Sequence, residues 1–340
     1  MYIYVTGSIR NTQDPRHHGR LIKIDWNTGE IIAELNEVFP TPFCARNSNP
    51  RGGTRGWRGI IHDSDGYFKG LIVANNDSLV YFDYNLNLKR VVTHPAFGNI
   101  HGLYSESLEP IYIASTLSDI YCCMSWDAIY PCEPLASLEV YQMIKEWLKI
   151  RTRDRQPFNP KKDYREEWIE STLHLNYVLP IHARKYGESP KLIALFNSMN
   201  LLVQLQPKPE ILWSAPLELG QLEAPLDMPG LQCPHDLVLL PDGDLLINSS
   251  ARQELYRFNL NTKELKLVWK TNDKSLAWNR GLALMPNKKH VLIGTGSGAI
   301  LEVDIATGKE IKQLQVFENK EFPCSIFGIL VSKKRLEKLE

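Results

Sequence analysis

The sequence carries no net charge: 39 Lys and Arg offset 39 Asp and Glu. That balance removes the generic electrostatic pull toward nucleic acid or an anionic membrane surface. No apolar run approaches the roughly 20 residues that span a bilayer. The start, Met1-Tyr2-Ile3-Tyr4-Val5-Thr6-Gly7, lacks the basic residues and cleavage site of a signal peptide and reads as a strand. The six cysteines are scattered, with one vicinal pair (Cys122, Cys123) and no Cys-x-x-Cys. Neither a disulfide framework nor a thiolate zinc site fits that spacing, and a cytoplasmic location with reduced, mostly buried thiols is expected.

What the sequence does contain is a repeated phrase. Its clearest copy runs from Cys233 to Asn248: a strand opening at His235, a tight Pro241-Asp242-Gly243 turn, and a second strand. Aligning weaker copies on that histidine places Arg58, His101, His174, His235, Arg280 and Phe327 at one structural position. Several of the spacings are about 45 residues, the length of a four-stranded propeller blade. The two longer ones, on either side of His174, require insertions. Blades repeat most clearly from His235 and Arg280, where runs such as Val291-Leu292-Ile293 suit strands covered on both faces.

The predicted fold is therefore all-β, a six-bladed β-propeller formed by a single domain over residues 1–340. Three N-terminal strands (Tyr2 to Gly7, Leu21 to Trp26, Glu30 to Leu35) and one C-terminal strand (Ile326 to Ser332) each lack a complete sheet. Together they supply the sixth blade and close the ring, which leaves no open edge. Residues 129–172 are predicted to be a helical insertion. Ser137 would cap a helix through Ile150, with Leu138, Tyr141, Ile144, Trp147 and Leu148 on one face; Asp163 and Glu166 would form a capping box for a second helix.

Innermost strands of a propeller run beside its central channel, so the six aligned residues should surround the channel mouth. A glycine follows four of them (Gly59, Gly102, Gly281, Gly328), as expected where backbones crowd toward an axis. Three imidazoles on neighbouring blades, His101, His174 and His235, could hold a divalent transition metal (Zn, Fe, Cu or Ni) with coordination positions open. Arg58 and Arg280 suit a carboxylate, phosphate or sulfate. Trp57 and Trp278 precede the arginines in similar phrases and either wall the pocket or pack between blades. His62 either lines the channel below Arg58 or is structural, and Asp236 could orient a neighbouring imidazole. The long connections, residues 38–57, the insertion and residues 216–234, all arrive on the mouth face, where long loops tend to be functional.

The phrase His235-Asp236-Leu-Val-Leu-Leu-Pro-Asp-Gly-Asp-Leu-Leu and its repeats resemble inner-strand motifs of six-bladed propellers of the NHL, SMP-30/gluconolactonase and arylsulfotransferase kinds. The resemblance covers the whole chain as architecture. Arylsulfotransferases use channel histidines and arginine, one histidine carrying the sulfuryl group, which by likeness implies His235 or His174 as nucleophile. SMP-30-like enzymes bind a divalent cation through carboxylates and amides; this chain has Arg, His and Phe there, which argues against a calcium lactonase.

Three functions fit the sequence. One is a metal-dependent enzyme acting on a small anionic substrate, with His101, His174 and His235 as ligands and Arg58, Arg280, Trp57, Trp278, Phe327 and His62 around the substrate. The others are a metal-free histidine-based transferase or lyase, and a non-catalytic binding scaffold. A nucleic-acid or membrane partner is not expected, and oligomeric state is open.

Overall fold

The structure, a computed structural model, describes residues 1–9, 19–36, 56–62, 70–105, 110–124, 132–135, 161–165, 173–182, 191–198, 200–215, 230–317 and 324–332. These residues form six four-stranded antiparallel sheets. The innermost strands are Ile60–His62, Ile100–Tyr104, Leu175–Ile181, Pro234–Leu239, Arg280–Leu284 and Cys324–Ser332. Each packs on the next and the last packs on the first, which closes the circle.

The closing sheet is the one anticipated from the two ends of the sequence. Cys324–Ser332 pairs with Tyr2–Ile9, which continues into Gly19–Asp25 and Ile31–Leu35. The ladder runs from Tyr2 opposite Ser332 to Ile9 opposite Cys324, with one irregularity between Thr6 and Gly7. Both ends of the described chain thus share one set of backbone hydrogen bonds.

Burial explains the composition of the strands. The middle strands Leu71–Ala74 and Ser78–Phe82 are buried along their whole length, whereas the outer strand Glu310–Gln315 is mostly exposed. A middle strand has a blade on either side, so both of its faces favour apolar residues. The core accordingly consists of six clusters, one at each blade interface. One joins Ile3, Val5 and Ile22 to Leu292 and Ile300; another joins Ile72 and Leu79 to Ile113 and Ile120. Each fully buried Leu or Ile contributes about 1.5–3 kcal/mol.

The blade beginning at His101 differs from the expected layout. Cys132–Leu135, inside the segment predicted to be helical, is a strand and completes that sheet at its outer edge. The outer edge is where a strand containing proline is tolerated, because an unpaired side needs no donor. The helix predicted from Ser137 to Ile150 lies outside the described residues. Around the second predicted helix, Lys161 to Arg165 form a turn in which the Asp163 carboxylate accepts from the backbone N–H and guanidinium of Arg165. Glu166 lies outside the described residues.

Candidate functional site

Five of the six inner strands carry a break in their pairing register at the mouth. Leu175 and Tyr177 pair with adjacent residues of the next strand, which leaves Asn176 bulged out. The same break occurs between Pro234 and Leu237, between Arg280 and Leu282, and between Ile100 and Leu103. A bulge turns the intervening side chain away from the ladder and toward the axis. Two residues before Arg58, His101, Asn176, His235 and Arg280 the backbone takes positive φ, at Gly56 (74°), Asn99 (54°), His174 (57°), Cys233 (47°) and Trp278 (60°).

This register corrects one assignment. Asn176, not His174, occupies the ring position of its blade, and His174 stands where Asn99, Cys233 and Trp278 stand in theirs. Side-chain bonds repeat the same alignment. Thr116 Oγ1 donates to Leu175 O at 2.7 Å, as Ser250 Oγ donates to Asn279 O, the residue before Arg280, at 2.5 Å. Asn176 is buried and spans to the next blade, its Nδ2 donating to Pro234 O at 2.8 Å.

The mouth therefore has two tiers around a cavity of about 400 Å³. Arg58, His101, His235, Arg280 and Phe327 form the lower tier, and His174, Cys233 and Trp278 form the upper one. Ser8 and Asn197 complete the described wall. His174 still reaches the centre from its higher position: its ring lies 5.0 Å from that of His101, which is 5.7 Å from His235. Phe327 stands between the arginines, with Arg280 Cζ at 4.5 Å and Arg58 Cζ at 5.3 Å from its ring centroid. His235 meets the same ring edge-on at 6.2 Å.

Two expected wall residues lie elsewhere. Trp57 is fully buried and packs edge-on against Phe82 at 5.7 Å, within the core between the first two blades. It immediately precedes Arg58, whereas Trp278 lies two residues before Arg280, and one residue of offset turns a side chain to the other face of a strand. His62 ends its strand opposite Leu71 and is not part of the cavity wall. Sequence reasoning missed Ser8, Asn197 and Cys233. Cys233 could have been found from its place two residues before His235, the place Trp278 has before Arg280.

The electrostatics of the mouth are one-sided. No carboxylate belongs to its described wall, which holds two guanidiniums and three imidazoles. Burial, then Arg58, then His174 and His235 hold the pKa of His101 well below the usual histidine range. Its Nδ1 lies 3.0 Å from Asn99 O and 2.6 Å from Thr116 Oγ1, and Arg58 Nη1 lies 2.8 Å from both ring nitrogens. Asp236, just beneath, accepts from Gly281 N at 2.9 Å. Burial raises its pKa to about 7 against the opposing effects of that bond, Arg280 and Asn248.

These contacts do not fit a metal at the three histidines. A ligating imidazole must offer a lone pair, and the Arg58 guanidinium stands within hydrogen-bond distance of both ring nitrogens of His101. That cation, 2.8 Å from the ring, would also repel a divalent ion. Among the described residues, no group of three or more His, Cys, Asp or Glu side chains is arranged to hold a metal ion.

No protein-family model and no curated protein matches the sequence. Solved structures do. A protein of unknown function from Bacteroides caccae is similar over 96% of this chain and 97% of its own, at 13% identity and a TM-score of 0.56. The nidogen/laminin complex contains a chain with the same coverage at 10% identity and a TM-score of 0.55. The β-propeller domain of Cps50 (Swd1) from Myceliophteria thermophila covers 92% of this chain and 86% of that one, at 13% identity and a TM-score of 0.49. The fold is a six-bladed β-propeller. At these identities the likeness extends to the propeller and not to its chemistry. Among the described residues, no helix is long and apolar enough to cross a membrane.

Proposed function

We propose that the propeller mouth binds a small organic anion without a metal, and that His174 and His235 are the groups that exchange protons with it. The observation that carries this reading is the pair of guanidiniums on either side of Phe327 in a cavity whose described wall includes no acid. A carboxylate, phosphate or sulfate entering there would accept from Arg280 and from the Arg58 nitrogens not directed at His101. Charge-assisted bonds of this kind are worth about 1.5–3 kcal/mol each. The cavity volume lies within the range that encloses a small molecule.

Within this reading His101 positions Arg58, because its ring stands against the guanidinium while its Nδ1 lies within reach of Asn99 O and Thr116 Oγ1. His174 and His235 face the same cavity from neighbouring blades. A metal-free transferase or lyase would place its acid and base there.

The test is calorimetric titration of untagged, chelator-treated protein with sulfate and phosphate at low ionic strength. Saturable binding is expected, weakened about 30-fold or more by Arg58→Gln with Arg280→Gln. Absence of binding to the wild type, or equal binding to the double variant, overturns the reading. A requirement for added Zn, Fe, Cu or Ni would restore the metal-dependent alternative.

A further inference from the structure

The arginines account for the charge of the cavity but not for Trp278. Its side chain is 46% exposed, and the other large apolar side chains with comparable exposure, such as Ile31, Leu88, Leu267 and Ile311, sit on outer strands. At φ 60° its backbone occupies the left-handed region, which is unfavourable for a bulky L-residue. The surrounding chain fits closely against that segment. Gly296 N donates to Ala277 O at 2.8 Å, and a Cβ at position 296 would stand 2.6 Å from that oxygen and 3.0 Å from Trp278 Cβ. The neighbouring hairpin thus packs against the backbone that presents the indole at the cavity lip.

Arg280 links the indole to Phe327. Arg280 Cζ lies 5.9 Å from the Trp278 ring and 4.5 Å from that of Phe327, so a planar guanidinium is flanked by two flat aromatic groups. Such a surface complements a flat ligand better than a bulky one, because stacking needs parallel or edge-on faces in close contact. We propose that Trp278 selects the ligand: the anion is carried on a planar π-system that lies against the indole while Arg58 and Arg280 hold its acidic group. This rests on the anion-binding reading above and adds the ligand's chemical class.

Affinities of acetate, cyclohexanecarboxylate and benzoate, measured by calorimetry or ligand-observed NMR, separate charge from bulk and bulk from planarity. The variants are Trp278→Gly, which suits the positive φ, and Trp278→Phe, which keeps an aromatic face. In the wild type benzoate is expected to bind about tenfold more tightly than either other acid. Trp278→Gly should bring benzoate down to the level of acetate with acetate unchanged, and Trp278→Phe should keep most of the preference. An unchanged benzoate-to-acetate ratio in Trp278→Gly, or equal binding of cyclohexanecarboxylate and benzoate, overturns the role of Trp278 even if acetate binds through the arginines. If no acid, sulfate included, binds the wild type, the anion-binding reading fails and this inference falls with it.

Discussion

Gly328→Ala tests whether the closure of the ring and the shape of the mouth depend on the same contact. Gly328 follows Phe327 on the last inner strand, and a Cβ there would stand 2.5 Å from Arg58 O, 2.6 Å from Thr6 Oγ1 and 3.0 Å from Ile60 Cγ2. An ordinary carbon-to-oxygen contact is about 3.3 Å or more, so the Arg58 backbone must retreat by most of an ångström. Inserting a methyl into packed surroundings costs about 1–3 kcal/mol. The Thr6 hydroxyl, which donates to Arg58 O, would lose a bond worth about 1 kcal/mol. A total of about 2–4 kcal/mol corresponds to a fall in Tm of roughly 3–6 °C for a chain of this size. Sulfate affinity should drop as well, because Arg58 is carried on the displaced backbone. Phe258→Leu is the control: it is buried in a third strand away from the cavity and should lower Tm without changing sulfate affinity. A Gly328→Ala protein that melts within 1 °C of the wild type, or binds sulfate equally well, refutes the reasoning.

Two further outcomes follow from the charges beneath and around the mouth. Asp236 has a folded pKa raised to about 7, so between roughly pH 4 and 7 the native state binds more protons than the unfolded chain and stability falls as pH rises. Asp236→Asn should flatten that slope and stabilise the protein above pH 7 by up to a few kcal/mol, measured by urea unfolding across pH; an unchanged slope contradicts it. The pKa of His101 is depressed by burial and neighbouring positive charge, and a bound anion opposes the second cause. Sulfate binding should therefore take up protons as pH is lowered, seen as a binding enthalpy that varies with the ionisation enthalpy of the buffer. Buffer-independent enthalpies would count against an anion beside His101.

Much of the fold was legible because blade strands carry two readable signals, turn residues at regular spacing and apolar runs where both faces are covered. Tyr2–Ile9 and Cys324–Ser332 could be paired from opposite ends of the chain since the three N-terminal strands lacked an inner strand and the last strand lacked outer ones. Cys132–Leu135 escaped because it is short, contains Pro134 and precedes a stretch with helical periodicity. At the mouth, Arg58, His101, His235, Arg280 and Phe327 were readable from the phrase itself. His174 drew the alignment two residues off because its chemistry matched the other histidines, whereas the ring position belongs to Asn176, whose marker is a bulge in the ladder. The separation of Trp57 from Trp278 was present in the sequence as a one-residue difference in spacing to the following arginine. Cys233 was marked only by its place two residues before His235, since a cysteine by itself looks like any small core group.

The seam between Tyr2–Ile9 and Cys324–Ser332 also has a temporal consequence. During synthesis the strand Tyr2–Ile9 emerges from the ribosome long before its partner Cys324–Ser332 exists, so the nascent toroid carries an unsatisfied flank while the intervening blades are made. Final locking must await release of the last inner strand, and until then that flank is the place where chaperones or a second nascent chain would engage.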